Sequence, residues 1–213
     1  MTVTLDQLMV ADSAQAWRDC GFEFEADICV VGDVRIRLAP EERRSGLIGW
    51  SLHEVGSLDL DGLPTARSEQ LPPDSAPSHP NGIVSLDHVV AISSNLDRTA
   101  TALEAAGLDL RRIREEPTPA GAPRQAFFRL GPTILEVVQE PPEATERAGG
   151  DRPAFFWGLA FVAPDLERTV AFLGDRAGEI RDAVQPGRQI ATLRRSAGLS
   201  LPVTLMTPPS RSI

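Results

Sequence analysis

Two stretches of this chain are copies of one another. DHVVAISSNLDRTATAL, residues 87–103, aligns without a gap on WGLAFVAPDLERTVAFL, residues 157–173. Further on, APRQAFFRL matches PGRQIATLR, and both copies close on an apolar run that ends in proline, ILEVVQEP and VTLMTP. Such a repeat predicts one supersecondary unit used twice, because neither copy can bury its apolar face alone. Each copy reads as an apolar strand, an amphipathic helix and three further strands. In the first, Ser94 or Asn95 is placed to cap the helix, and Leu96, Ala100 and Leu103 share one side. Gly107 stands where a left-handed residue ends such a helix. In the second, Asp165 is the cap and Leu166, Val170 and Leu173 form the apolar side.

The N-terminal region is a fainter third copy. TLDQLMVA matches SLDHVVAI, and VGDVRIRL matches LGPTILEV. GWSLHEV is similar to FWGLAFV, with Trp50 against Trp157, so that strand either closes the first unit or is the vestige of another. SAQAWRDCGF reads as a short helix ended by Gly21, and Gly32-Asp33 as a hairpin turn between two strands. Alternation of Val34, Ile36 and Leu38 with Arg35 and Arg37 predicts one wet face. The expected organisation is a degenerate module over 1–65, a linker over 66–82, a module over 83–141, and a module over 154–208 paired with it. The linker, SEQLPPDSAPSHPNG, is too polar to support a core, and His79 inside it is expected to be solvated. PPEATERAGGDRP reads as a second polar connection. The fold class is therefore α+β: tandem βαβββ modules, each curling into half a cup, together forming a barrel-like cleft.

Composition removes several chemistries. A formal charge of −9 disfavours nucleic acid, whose phosphates demand a basic face. The sequence contains no lysine and no tyrosine, which excludes Schiff-base chemistry, a P-loop lysine and a phenolic acid. No run approaches the roughly 18 apolar residues of a membrane span, and the N-terminus lacks a basic start followed by an apolar core; the expected compartment is cytoplasmic. Cys20 and Cys29 have neither disulfide density nor ligand spacing, and Cys29 reads as a small buried hydrophobe.

LDHVVAIS followed by a helix and then LGPTILEVV resembles the vicinal-oxygen-chelate superfamily of glyoxalases, bleomycin-resistance proteins and extradiol dioxygenases. More narrowly, it is similar to the glyoxalase-like proteins of actinobacterial type. The resemblance covers 83–208 well and 1–60 loosely. It implies that the first and last strands of each half supply one metal ligand each. On that basis His88 and Glu136 are the candidate metal ligands, with Glu136 also the candidate catalytic proton carrier. The implied cofactor is one divalent ion (Zn, Ni, Mn or Fe) with an incomplete ligand set. In the last module Gly158 replaces the histidine, and Val203, or Thr204 if the register slips, replaces the glutamate. The N-terminal module offers Gln7 and Arg37, and His53 and His79 match no ligand position, which disfavours a dioxygenase.

His88 and Glu136 thus read as a metal site, as a metal-free pair that orients a ligand or moves protons, or as a buried remnant. Arg124-Gln125 and Arg188-Gln189, at matching positions of the two copies, are candidate substrate contacts suited to a carboxylate or phosphate. Of Phe127, Phe128, Phe155, Phe156 and Trp157, most are expected in the core. The functional readings are a glyoxalase-like lyase or isomerase on a small oxygenated metabolite, a metal-free sequestration protein, or a non-catalytic protein that dimerises. A small-molecule ligand is the expected partner, with a homodimer left open and no membrane or nucleic acid.

Overall fold

The computed structural model describes residues 2–40, 45–74, 76–118 and 121–209; Ser75 of the expected linker lies outside them. In chain order the elements are β1 (Thr4–Val10), α1 (Ala14–Asp19), β2 (Ile28–Val31), β3 (Val34–Leu38), β4 (Leu47–His53), β5 (Thr65–Arg67), β6 (Ser85–Ser93) and α2 (Leu96–Ala105). There follow β7 (Asp109–Arg114), β8 (Gln125–Leu130), β9 (Thr133–Gln139), α3 (Pro142–Arg147), β10 (Phe155–Val162), α4 (Leu166–Leu173), β11 (Arg181–Asp182), β12 (Gln189–Thr192) and β13 (Val203–Met206). The runs β6-α2-β7-β8-β9 and β10-α4-β11-β12-β13 are the two βαβββ copies that the repeat predicts.

The chain divides into two compact units, one of residues 1–6, 49–70 and 88–157, the other of 7–48, 71–87 and 158–213. In the first, β9 lies between parallel β6 and antiparallel β8, and β7 continues beyond β8. The second contains the equivalent run, β10 beside parallel β13, then antiparallel β12 and β11. It also contains β1 beside parallel β3, with β2 antiparallel on the far side of β3. These strand runs are open-ended and do not close into a barrel.

In each module the first strand pairs in parallel with the last. β4 and β5 form a fourth such pair, with Trp50 opposite Thr65. The strand GWSLHEV thus takes β5 as a parallel partner, as the first strand of each module takes its last. β5 is three residues long and α3 buries no side chain, so neither left an apolar period to read.

The helices form where their caps and apolar sides predict. Asn95 Oδ1 accepts from Arg98 N, Asp165 Oδ1 accepts from Arg168 N, and Gly107 follows the α2 C-cap at φ 94°. Leu96, Thr99, Ala100 and Leu103 of α2 are buried over the sheet of the first unit. One face of that sheet, carrying Val89, Ala91, Ala126, Phe128, Leu130, Leu135 and Val137, is buried, and Ser93 Oγ meets Thr99 Oγ1 of the helix at 2.6 Å. Each buried Leu or Phe contributes about 1.5–3 kcal/mol, so this face drives the module to fold. The opposite face carries His88, Ile92, Phe127, Ile134, Glu136 and Val138, all half-buried. Among the five aromatics expected mostly in the core, only Phe128 and Phe156 are buried; Phe155 and Trp157 are exposed and Phe127 lies between. Among the described residues no helix is long and apolar enough to cross a membrane.

His79 is not the solvated loop residue that its Pro/Ser-rich surroundings predict. It is 6% exposed, accepts from Glu23 N at Nδ1 (3.2 Å) and donates from Nε2 to Val30 O (3.0 Å), which fixes its tautomer. Cys29 Sγ is 4.0 Å from the same Nε2, and burial pushes that thiol up to about 12, as expected of an inert core cysteine. Burial also holds His79 below the ordinary histidine value. The fold therefore favours neutral His79. The stability this confers is complete above pH about 6.5 and is lost as the pH falls toward the lowered folded value. Unfolding free energies from urea titrations between pH 7.5 and 5 should fall less steeply in His79→Gln than in the wild type, by up to about 1.4 kcal/mol per pH unit for one proton. Equal slopes would contradict the assignment.

Candidate functional site

Parallel pairing of β6 with β9 sets His88 opposite Ile134 and Val90 opposite Glu136, which brings the imidazole and the carboxylate together on the face away from α2. His88 Nε2 lies 3.5 Å from Glu136 Oε2, with the side chains 15% and 16% exposed. β8 adds the third member. Gln125 stands opposite Val138 and Phe127 opposite Glu136, and the Gln125 amide donates from Nε2 to Glu136 Oε1. One carboxylate oxygen is thus held by an amide while the other faces the imidazole. Gln125 is 8% exposed, and its Oε1 is buried without a hydrogen-bond partner among the described residues. Gln125 was legible from the repeat as an Arg-Gln doublet, but nothing in the sequence ties it to Glu136.

The observed registers also fix the equivalents of this pair. Met9 opposes Arg37 as Val90 opposes Glu136, so Gln7 and Arg37 hold the corresponding places in the N-terminal module. In the last module Ala160 opposes Thr204, which makes Thr204, not Val203, the counterpart of Glu136. Arginine and glycine are not ligands, and a resident catalytic ion takes about three protein donors. His88 and Glu136 supply two. Among the described residues no group of three or more His, Cys, Asp or Glu side chains is disposed to hold an ion. The donor set is incomplete for a resident metal.

The two Arg-Gln doublets are aligned in sequence but offset by one in register. Phe127 opposes Glu136, whereas Thr192 opposes its counterpart Thr204. A slip of one residue exchanges faces. Gln125 is accordingly buried and Gln189 exposed, while Arg188 is 6% exposed. Arg188 donates to Asp87 Oδ1 (2.5 Å), Gln185 Oε1 (2.8 Å) and Thr207 O (2.8 Å). Arg124 forks onto Glu115 at 2.7 and 3.0 Å and reaches Asp97 at 3.0 Å. The bond from Arg124 draws the Glu115 carboxyl below its usual range. The structure therefore brings Gln125 to the His88–Glu136 pair and commits both guanidinium groups to carboxylates of their own unit. Two open depressions lie elsewhere, about 290 Å³ along Glu54, Arg67 and Ser68, and about 370 Å³ along Glu179, Arg181 and Arg194.

No family model matches the sequence, and no protein of curated function does. Solved structures do match. A xylose isomerase-like TIM barrel/4-hydroxyphenylpyruvate dioxygenase fusion protein superposes at TM-score 0.62 and 14% identity, over 99% of this chain and 50% of its own. The chain thus spans half the length of that protein. A triple mutant of 4-hydroxymandelate synthase from Streptomyces coelicolor superposes at TM-score 0.61 and 14% identity, over 99% of this chain and 94% of its own. Methylmalonyl-CoA epimerase from Mycobacterium tuberculosis matches 61% of this chain and 91% of its own at 17% identity and TM-score 0.49. Identities this low speak to fold and not to reaction. Tandem βαβββ modules with parallel outer strands, and likeness to the first two of these structures, together show that this chain has the vicinal-oxygen-chelate, glyoxalase-like fold.

Proposed function

We propose that this chain is a glyoxalase-like small-molecule protein whose working centre is the His88–Glu136 pair, with Gln125 orienting Glu136. The observation that carries the reading is the 3.5 Å approach of His88 Nε2 to Glu136 Oε2 on the face that the helix does not cover. A carboxylate tethered at one oxygen and facing an imidazole at the other can accept a proton from a bound molecule and share it with the ring. That suits an isomerase- or lyase-type step on a small oxygenated metabolite, and it equally suits orientation of a ligand that is held and not converted. Both variants of the reading need no resident ion, in keeping with two protein donors.

The test is a thermal-shift series of small hydroxy and keto acids against the wild type, His88→Ala and Glu136→Gln, with and without chelator. A ligand at a hundred times its Kd stabilises the wild type by about 2.7 kcal/mol. The expected outcome is a shift indifferent to chelator and lost in both variants; a shift that both variants retain would sink the reading. A separation of 3.5 Å is long for a hydrogen bond, and it favours a second reading in which His88 and Glu136 would hold an exogenous divalent ion that would polarise an oxygen of the bound molecule. That reading predicts stoichiometric metal in the purified wild type, absent from His88→Ala.

A further inference from the structure

The pairing of β7 with β8 sets Arg112 opposite Phe127 and Arg114 opposite Gln125, with a bulge at Arg111 between these pairs and Leu110–Phe128. Directly opposed residues of antiparallel strands project to one face. Arg112 and Arg114 therefore lie on the same sheet face as Gln125, Phe127, Glu136 and His88, while Leu110 and Ile113 oppose the buried-face residues Phe128 and Ala126. Among the described residues Arg114 has one carboxylate near it, Glu116 at 3.7 Å, itself 73% exposed. Arg112 is exposed, and Arg111, which takes Asp109 at 3.1 Å, is the bulged residue. In a chain of formal charge −9, this edge of the face is locally basic.

A second, independent observation lies beside it. Gln125 spends its amide N–H on Glu136 and leaves Oε1 buried and, among the described residues, unpartnered. That oxygen can only accept, so what it lacks is a donor. Phe127 stands beside Arg112 on this face, and Ile134 and Val138 lie on β9, across β8 from the arginines; all three are half-buried and apolar.

We propose that this face binds a small organic oxyanion bearing a hydroxyl group and a short apolar chain. The anionic group lies on Arg112 and Arg114, and the hydroxyl donates to Gln125 Oε1. The inference rests on the reading of His88–Glu136 as the working centre and adds the ligand class to it. Carboxylate and phosphate share the chemistry that a guanidinium fork recognises, so both are tested.

The probes are α-hydroxyhexanoate, hexanoate, hexanediol and 2-hydroxyhexyl phosphate, measured by calorimetry on the full chain. The wild type should bind α-hydroxyhexanoate or 2-hydroxyhexyl phosphate, whichever anion the site prefers. Rising salt should weaken that binding, and each of Arg112→Gln and Arg114→Gln should weaken it about tenfold. Hexanediol binding should not respond to either arginine. The preference for α-hydroxyhexanoate over hexanoate should vanish in Gln125→Met. If His88→Ala abolishes binding and the arginine variants do not alter it, this proposal is overturned and the working centre stands. If the arginine variants weaken binding and His88→Ala does not, the anion site stands and the working centre falls. Wild-type protein that binds neither anion at millimolar concentration overturns the proposal.

Discussion

Gly158→Ala should lower stability by about 3 kcal/mol, the upper end of what overpacking costs. The residue has no unusual backbone angle; the constraint is space. A Cβ there would sit 2.7 Å from Pro202 O and 3.3 Å from Pro202 Cβ. The carbonyl cannot retreat cheaply, because it accepts from Leu159 N at 3.0 Å. Gly158 is the counterpart of His88, so the missing ligand of the last module is closed off by close strand packing and not only by substitution. Gly158→His with Thr204→Glu should consequently lose at least as much stability as Gly158→Ala, and should acquire no metal. Urea titration and elemental analysis of the purified variants check both statements. A double variant with the wild-type midpoint and one bound ion would refute the packing argument.

What could be read without coordinates divides along a physical line. Helix α2 was legible because its signals are local: a side-chain acceptor at Asn95, a glycine at 107 and an apolar side between them. His88 and Glu136 were legible because duplication exposed equivalent strands, and each strand's apolar surroundings marked a polar residue as out of place. Register was not legible. Whether Val203 or Thr204 answers Glu136 turns on one residue, as does the face of each Arg-Gln doublet, and a hydrophobic run such as VTLMTP is compatible with either. The gapless alignment of RQAFF on RQIAT was therefore misleading, since the pairing with the last strand is offset. His79 was hidden for a different reason. Its burial depends on Glu23 and Val30, some 50 residues earlier, and no composition window can show that. Arg112 and Arg114 did leave a signal, two arginines at alternate positions of DLRRIR, but the bulge between Leu110 and Arg112 breaks the simple alternation that would have assigned their face.

Trp17→Ala should be the most damaging single change in the second unit, costing about 3–5 kcal/mol. The indole is fully buried and meets three aromatic rings, with centroids 4.9 Å away at Phe22, 6.5 Å at Phe24 and 6.3 Å at Phe161. Edge-on pairs of this kind add to the area they bury. Its Nε1 also donates to Asp12 Oδ2 at 3.0 Å, and the Asp12 carboxylate in turn accepts from Ser200 N at 3.1 Å. The residue therefore does two jobs, filling volume and satisfying a buried acid, and a second variant separates them. Trp17→Phe keeps most of the ring contact and removes the donor, so it should cost less, about 1.5–3 kcal/mol, the range for one hydrogen bond to a charged group. Ser200 N still holds the carboxylate in that variant, which caps the penalty. Equilibrium unfolding of the two proteins is the measurement. Equal losses in both would mean the hydrogen bond dominates, and a loss below about 1 kcal/mol in Trp17→Ala would mean the α1 segment contributes little to the core, contrary to its packing.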